Sequence, residues 1–103
     1  MNDWPEFGLP AAELSDEGWC VYLLLCGQGL LYCGITNRPQ HRLEAHCSGR
    51  GARFTRMHKP HEMRLVYSGI SRADAARIEP IVKKLKRVQK QNLWILLKNN
   101  FVK

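Results

Sequence analysis

The sequence predicts a mixed α/β fold of the α+β kind, in one domain, on three observations. Two runs rich in apolar and aromatic residues, 19–26 and 30–35, flank Gly27-Gln28-Gly29 as the arms of a hairpin. A third run, 62–68, alternates Met63, Leu65 and Tyr67 like a half-buried strand. Apolar residues recur at helical spacing between and after these strands. The chain has 103 residues, 45% of them hydrophobic, which suits one modest core.

Composition removes several function classes. No apolar run, Leu23-Leu24-Leu25 and 94–97 included, approaches the ~20 residues needed to span a bilayer. The start is acidic (Asp3, Glu6) and lacks an apolar stretch, so it does not read as a secretory signal. A soluble, cytoplasmic protein is expected. Cys20, Cys26, Cys33 and Cys47 contain no C-x-x-C pair, so buried free thiols in a reducing compartment are expected rather than a zinc knuckle.

Charge points the other way, toward a class. The net is +7, but residues 1–19 hold five of the nine acids and no Lys or Arg. The remainder carries all 16 bases against four acids, a net of +12. Such an excess draws polyanions, nucleic acid foremost.

Residues 1–17 are expected as an N-terminal extension, punctuated by Pro5, Gly8 and Pro10, with room for one helical turn at 11–14. Trp4, Phe7 and Leu9 are apolar enough to dock. A disordered tail is the plainer expectation, and an acidic arm lying over the basic surface the sharper one. The domain proper is expected over 18–98, with 99–103 as a C-terminal tail.

The three-residue loop pairs Cys26 with Leu30 and sets Tyr32 opposite Leu24. Tyr22 and Tyr32 then project from one face, diagonal neighbours about 7–8 Å apart at the backbone. A helix follows, capped by Thr36 or Asn37, with Pro39 in its first turn and Gly49 as left-handed terminator. Arg42 and His46, four apart, share one of its faces. Residues 49–61 read as a loop, glycine-rich at first and basic throughout, where Arg50, Arg53, Arg56 and Lys59 are candidates for nucleic-acid binding. The glycines there would let backbone amides approach phosphates.

Ser71 with Asp74 three residues on marks a helix start. Ala75, Ile78, Val82 and Leu85 give its buried face, and Glu79 lies beside that face. Pro80 should kink this helix or restart it. Lys83, Lys84, Lys86, Arg87 and Lys90 form a second basic stretch. A final helix is expected over 88–98, stopped by Asn99-Asn100.

Tyr22, Tyr32, Arg42 and His46, followed at a distance by Glu79, resemble the signature of the GIY-YIG nuclease superfamily. Its first motif stands here as Cys20-Val21-Tyr22 and its second as Tyr32-Cys33-Gly34. The segment Gly49-Arg50-Gly51-Ala52-Arg53-Phe54-Thr55-Arg56 looks like the superfamily's small single-domain bacterial branch, and the resemblance covers about residues 18–90. It implies a three-stranded antiparallel sheet flanked by helices. It also implies metal-dependent endonuclease cleavage of phosphodiester bonds, with DNA ahead of RNA as partner, structure-selective or weakly specific.

What the resemblance implies for each residue is chemically coherent. A phosphodiester repels hydroxide, so charge must be offset and water activated. Glu79 would hold one Mg²⁺ or Mn²⁺ ion, with water and phosphate completing the shell. Arg42 would clamp the scissile phosphate. Tyr22 would take the proton of the attacking water, Tyr32 would orient, and His46 would hydrogen-bond Tyr22 or shuttle a proton; Tyr22 and His46 both stay open as the base. Two departures stand out: Thr36 where some repair-type members carry a lysine, and Pro80 directly after Glu79. They leave a second reading, a non-catalytic nucleic-acid-binding module of the same fold.

Overall fold

The hairpin forms as its loop demands. In the computed structural model, which describes residues 4–102, β1 (Trp19–Cys26) pairs antiparallel with β2 (Leu31–Thr36). Leu24 faces Tyr32 and Tyr22 faces Gly34. The Cys26 amide donates to the Leu30 carbonyl across a turn in which Gln28 (φ 65°) and Gly29 (φ 72°) are both left-handed. The glycine accepts that conformation freely, whereas Gln28 takes it at some cost.

β3 (Pro60–Ile70) pairs with the other edge of β1 and is longer than expected at both ends. The expectation of three strands needs correction. Asn100–Val102 form β4 against Glu62, Met63 and Arg64 of β3, giving a four-stranded antiparallel sheet in the order β2-β1-β3-β4. The expected tail at 99–103 is therefore this edge strand as far as Val102; Lys103 lies outside the described residues. Asn100 Nδ2 donates to Glu62, which also accepts from Arg64, so side chains tether a strand too short to hold by pairing alone.

Helices cover both faces. On one, α1 (Pro39–Cys47) packs its Leu43 against Tyr22, Leu24 and Met63. The cap expected from Thr36 or Asn37 is replaced by Arg38, which offers no side-chain cap; Thr36 Oγ1 instead accepts from the Arg38 amide. Gly49 terminates the helix in the left-handed region, as expected. The expected loop after it contains a short helix, α2 (Arg53–Met57).

On the other face, α3 (Arg72–Lys83) buries Ala75, Ile78 and Val82, and α4 (Arg87–Leu96) buries Leu93. Ser71 caps α3 by accepting from the Asp74 amide. Pro80 does not restart the helix, which continues through it to Lys83. The hydrogen bond it removes would have ended on the Ala76 carbonyl, on the exposed side where water can replace it.

The extension is docked rather than disordered over its described part. Leu9 is buried, Trp4 Nε1 donates to the Val66 carbonyl at 2.9 Å, and Tyr67 donates to the Pro10 carbonyl. Ser15 N bonds the Gly69 carbonyl, and Glu17 accepts from Arg72 at the start of α3, where negative charge is favoured. Among the described residues these contacts run to β3 and α3 rather than to the basic segment 50–59; Asp3 lies outside them.

Candidate active site

The hairpin register decides where Tyr22 goes. Its ring lies across β2 over Gly34, where a Cβ would stand 2.3 Å from the Tyr22 hydroxyl. Only glycine leaves this space, which gives the glycine of the second motif a physical reason. Tyr22 is 1% exposed. Burial pushes its hydroxyl up to about 12, although the Arg42 guanidinium beside it pulls the other way.

One turn after Arg42 on α1, His46 is buried between the two tyrosines. Its ring meets Tyr22 and Tyr32 edge-on, at 6.0 and 5.6 Å between centroids. His46 Nε2 is 2.9 Å from Tyr22 Oη, and Nδ1 is 2.8 Å from Thr55 Oγ1. Burial first, and the Arg42 charge second, press His46 down to about 4, so the imidazole is neutral at physiological pH. Tyr32 stacks on Phe54 of α2 at 5.6 Å. Tyr22, Tyr32, Arg42 and His46 thus gather in one cluster on one face of the sheet.

Glu79 approaches from the other layer. Cys33, the neighbour of Gly34 on edge strand β2, points its sulfur at the Glu79 carbonyl, 4.0 Å away. Two consecutive β2 residues thus meet α3 on one side and the Tyr22 ring on the other. Burial and then the Glu79 carboxylate push the Cys33 thiol up to about 12, with Lys83 and Lys90 opposing. Among the described residues the Glu79 carboxylate makes no hydrogen bond or ion pair with the four in the cluster; it pairs with Lys83 at 3.7 Å.

The donor set can be tested against a metal. Among the described residues no three His, Cys, Asp or Glu side chains gather to hold an ion. Glu79 is a single, partly open carboxylate. That fits a hard ion which keeps most of its water and is bound through one or two carboxylates plus substrate phosphate, as Mg²⁺ is.

The cations expected to meet nucleic acid lie near the cluster. Arg53 and Arg56 sit on α2, with Arg50 and Lys59 at its two ends, and all four are exposed. α2 presents them outward while Thr55 and Phe54 face His46 and Tyr32. Thr55 stands in the sequence only as part of the 49–56 segment that carries the resemblance; nothing there marks its contact with His46. Gly51 has a structural reason beside the phosphate approach expected of it: a Cβ there would lie 2.2 Å from His46 Nδ1. Among the described residues no two cysteines are joined in a disulfide, and no described helix is long and apolar enough to cross a membrane.

Comparison with known proteins adds the family. The model described as the GIY-YIG catalytic domain matches residues 18–92. A UPF0213 protein of Neisseria meningitidis serogroup C is 47% identical over 81 residues, covering 79% of this chain and 89% of that protein. A UPF0213 protein of Nitratidesulfovibrio vulgaris is 43% identical over 76 residues, 74% of this chain and 69% of its own. A third, from Pseudomonas aeruginosa, is 39% identical over 77 residues, 75% and 74%. No solved structure matches the chain.

Proposed function

The chain belongs to the GIY-YIG catalytic domain family, and from that premise we propose that it is a metal-dependent DNA endonuclease, structure-selective or weakly specific. The observation that carries the reading is the buried Tyr22–His46 contact at 2.9 Å, with the charge of Arg42 acting on both rings. A neutral imidazole bonded to a phenol has a lone pair for its proton, and the anionic phosphate that Arg42 draws in would oppose the charge that lowers His46 in the free protein. A phenol, an imidazole lowered by burial and by a neighbouring guanidinium, and that guanidinium itself, gathered in one place, are the kind of cluster that functional sites hold.

Each residue then has a task. The Tyr22–His46 pair accepts the proton of the attacking water. Arg42 binds the scissile phosphate and offsets the charge that grows on it. Tyr32, held between His46 and Phe54, orients the nucleophile or the phosphate. Glu79 holds the divalent ion, Mg²⁺ or Mn²⁺, which when bound supplies Lewis acidity at the phosphate. Arg50, Arg53, Arg56 and Lys59 track the backbone of the nucleic acid without reading its sequence.

One observation favours the second reading, a nucleic-acid-binding module without turnover: Glu79 stands in the opposite layer and is paired with Lys83. Incubating plasmid, branched, flap and single-stranded DNA with Mg²⁺ or Mn²⁺ separates the two. The endonuclease reading expects cleavage by the wild type and none by Glu79→Ala. Salt-sensitive binding with no cleavage under any metal would establish the module instead; equal product from both proteins would expose a contaminant.

A further inference from the structure

Among the described residues, Thr55 is the buried polar side chain at the site that still lacks a task. It is 1% exposed, and its hydroxyl oxygen has two neighbours. One is the Ala52 carbonyl at 2.8 Å; the other is His46 Nδ1, also at 2.8 Å. Two oxygens this close repel unless a proton lies between them, and a carbonyl can only accept. The single Thr55 proton therefore goes to Ala52. Toward His46 the Thr55 oxygen presents a lone pair, so Nδ1 must carry the hydrogen. The other nitrogen, Nε2, is then the acceptor, and Tyr22 donates to it.

We infer that Thr55 is a positioning residue: its hydroxyl, aimed by the Ala52 carbonyl, holds His46 in the Nδ1–H tautomer so that Nε2 can receive the Tyr22 proton. This rests on the nuclease reading and names the order of proton movement within it. As the water O–H breaks, its proton goes to Tyr22 Oη while the Tyr22 proton passes to His46 Nε2. The water's electron pair forms the new bond to phosphorus, the P–O bond to the leaving nucleotide breaks, and the departing oxygen keeps that bond's electron pair and takes a proton from solvent water. Tyr22 is neutral before and after, so no phenolate accumulates, and the net change is one proton gained by His46. The imidazolium so formed keeps its Nδ1–H bond to Thr55. Arg42, which can only donate, lies beside the same phenol oxygen and is compatible with this direction.

Local geometry is built for this contact. Gly51 lets the backbone pass against His46 where a Cβ would stand 2.2 Å from Nδ1. The Ala52 carbonyl also accepts from the Thr55 and Arg56 amides, which fixes it as the first-turn acceptor of α2. The hydroxyl is thus aimed by helix geometry.

The test reads the tautomer directly. In ¹⁵N-labelled protein without DNA or metal, long-range imidazole correlations should show His46 protonated at Nδ1 only. Thr55→Val, isosteric but unable to accept, should move His46 toward the Nε2–H form and lower single-turnover cleavage about 10- to 100-fold, the range for losing such an orienting partner. DNA affinity in EDTA should not change, and Thr55→Ser should restore both tautomer and rate. A wild type protonated at Nε2, or a Thr55→Val protein that keeps the Nδ1–H form, overturns the inference. The spectrum needs no turnover, so a protein that never cleaves DNA defeats the nuclease reading while the positioning role is still decided.

Discussion

Gly34 stands directly opposite Tyr22 in the β1–β2 ladder, and the tyrosine ring occupies the space that a side chain at 34 would fill. A sheet position that is glycine to admit a partner's phenol is sensitive to one methyl group. Gly34→Ala should displace the ring, cost about 1–3 kcal/mol by overpacking, and break the Tyr22–His46 contact. Urea denaturation gives the first quantity and cleavage the second. Gly29→Ala is the contrast: open space surrounds it, so its cost should be only the backbone strain of φ 72°, about 1 kcal/mol, with the site intact.

Acid should weaken the fold through His46. Its folded value is lowered to about 4 from 6.5, so the unfolded chain binds a proton in a range where the folded protein does not. The stabilisation is fully present above pH 6.5 and is lost as pH falls toward 4. Urea midpoints at pH 7 and pH 4.5 should therefore diverge more for the wild type than for His46→Asn.

Tyr22 gives the opposite sign at the alkaline end. Held protonated up to about 12, it contributes stability that fades as pH rises from about 10 toward that value. Absorbance titration near the phenolate band should show a late-ionising component, and Tyr22→Phe should diminish it by one tyrosine.

Neutralising the basic segment should act on binding and not on the fold. With Arg50, Arg53, Arg56 and Lys59 exposed, changing them to Gln should leave thermal stability nearly unchanged. The slope of log K against log salt should flatten by about 0.7–0.9 for each phosphate that is no longer neutralised. Fluorescence anisotropy across a salt series measures this.

Lys83 competes for the carboxylate proposed to hold the metal. The pair is partly solvated, so Lys83→Gln should shift stability by less than about 1 kcal/mol. It should lower the Mg²⁺ concentration giving half-maximal cleavage. An unchanged metal midpoint would show that the ion pair does not occupy Glu79.

Much of this arrangement was legible in the chain because it depends on local rules. A three-residue turn sets one register, and that register alone puts Tyr22 and Tyr32 on the same face. Arg42 and His46 share a helix face by spacing, and Ser71 with Asp74 starts α3 as such pairs do. The features that were not legible depend on contacts between distant segments. β4 has three residues, two of them exposed, and exists because Glu62 and Arg64 offer it partners. α2 is a single short helix held by Thr55 and Phe54 against His46 and Tyr32. Pro80 looked disruptive because its rule is local, yet the carbonyl it deprives lies on the exposed side of α3. The docked extension has no periodicity; its anchors, Trp4 and Leu9, matter only because β3 lies beneath them.

The most direct measurement of the central claim is single-turnover DNA cleavage by Tyr22→Phe beside the wild type, with saturating protein and Mg²⁺ or Mn²⁺. The ring stays over Gly34 and only the hydroxyl facing His46 Nε2 is removed. The account predicts a fall of about 100-fold or more in rate, as expected for losing the proton acceptor, with DNA affinity unchanged. A Tyr22→Phe protein that cuts at the wild-type rate would contradict it.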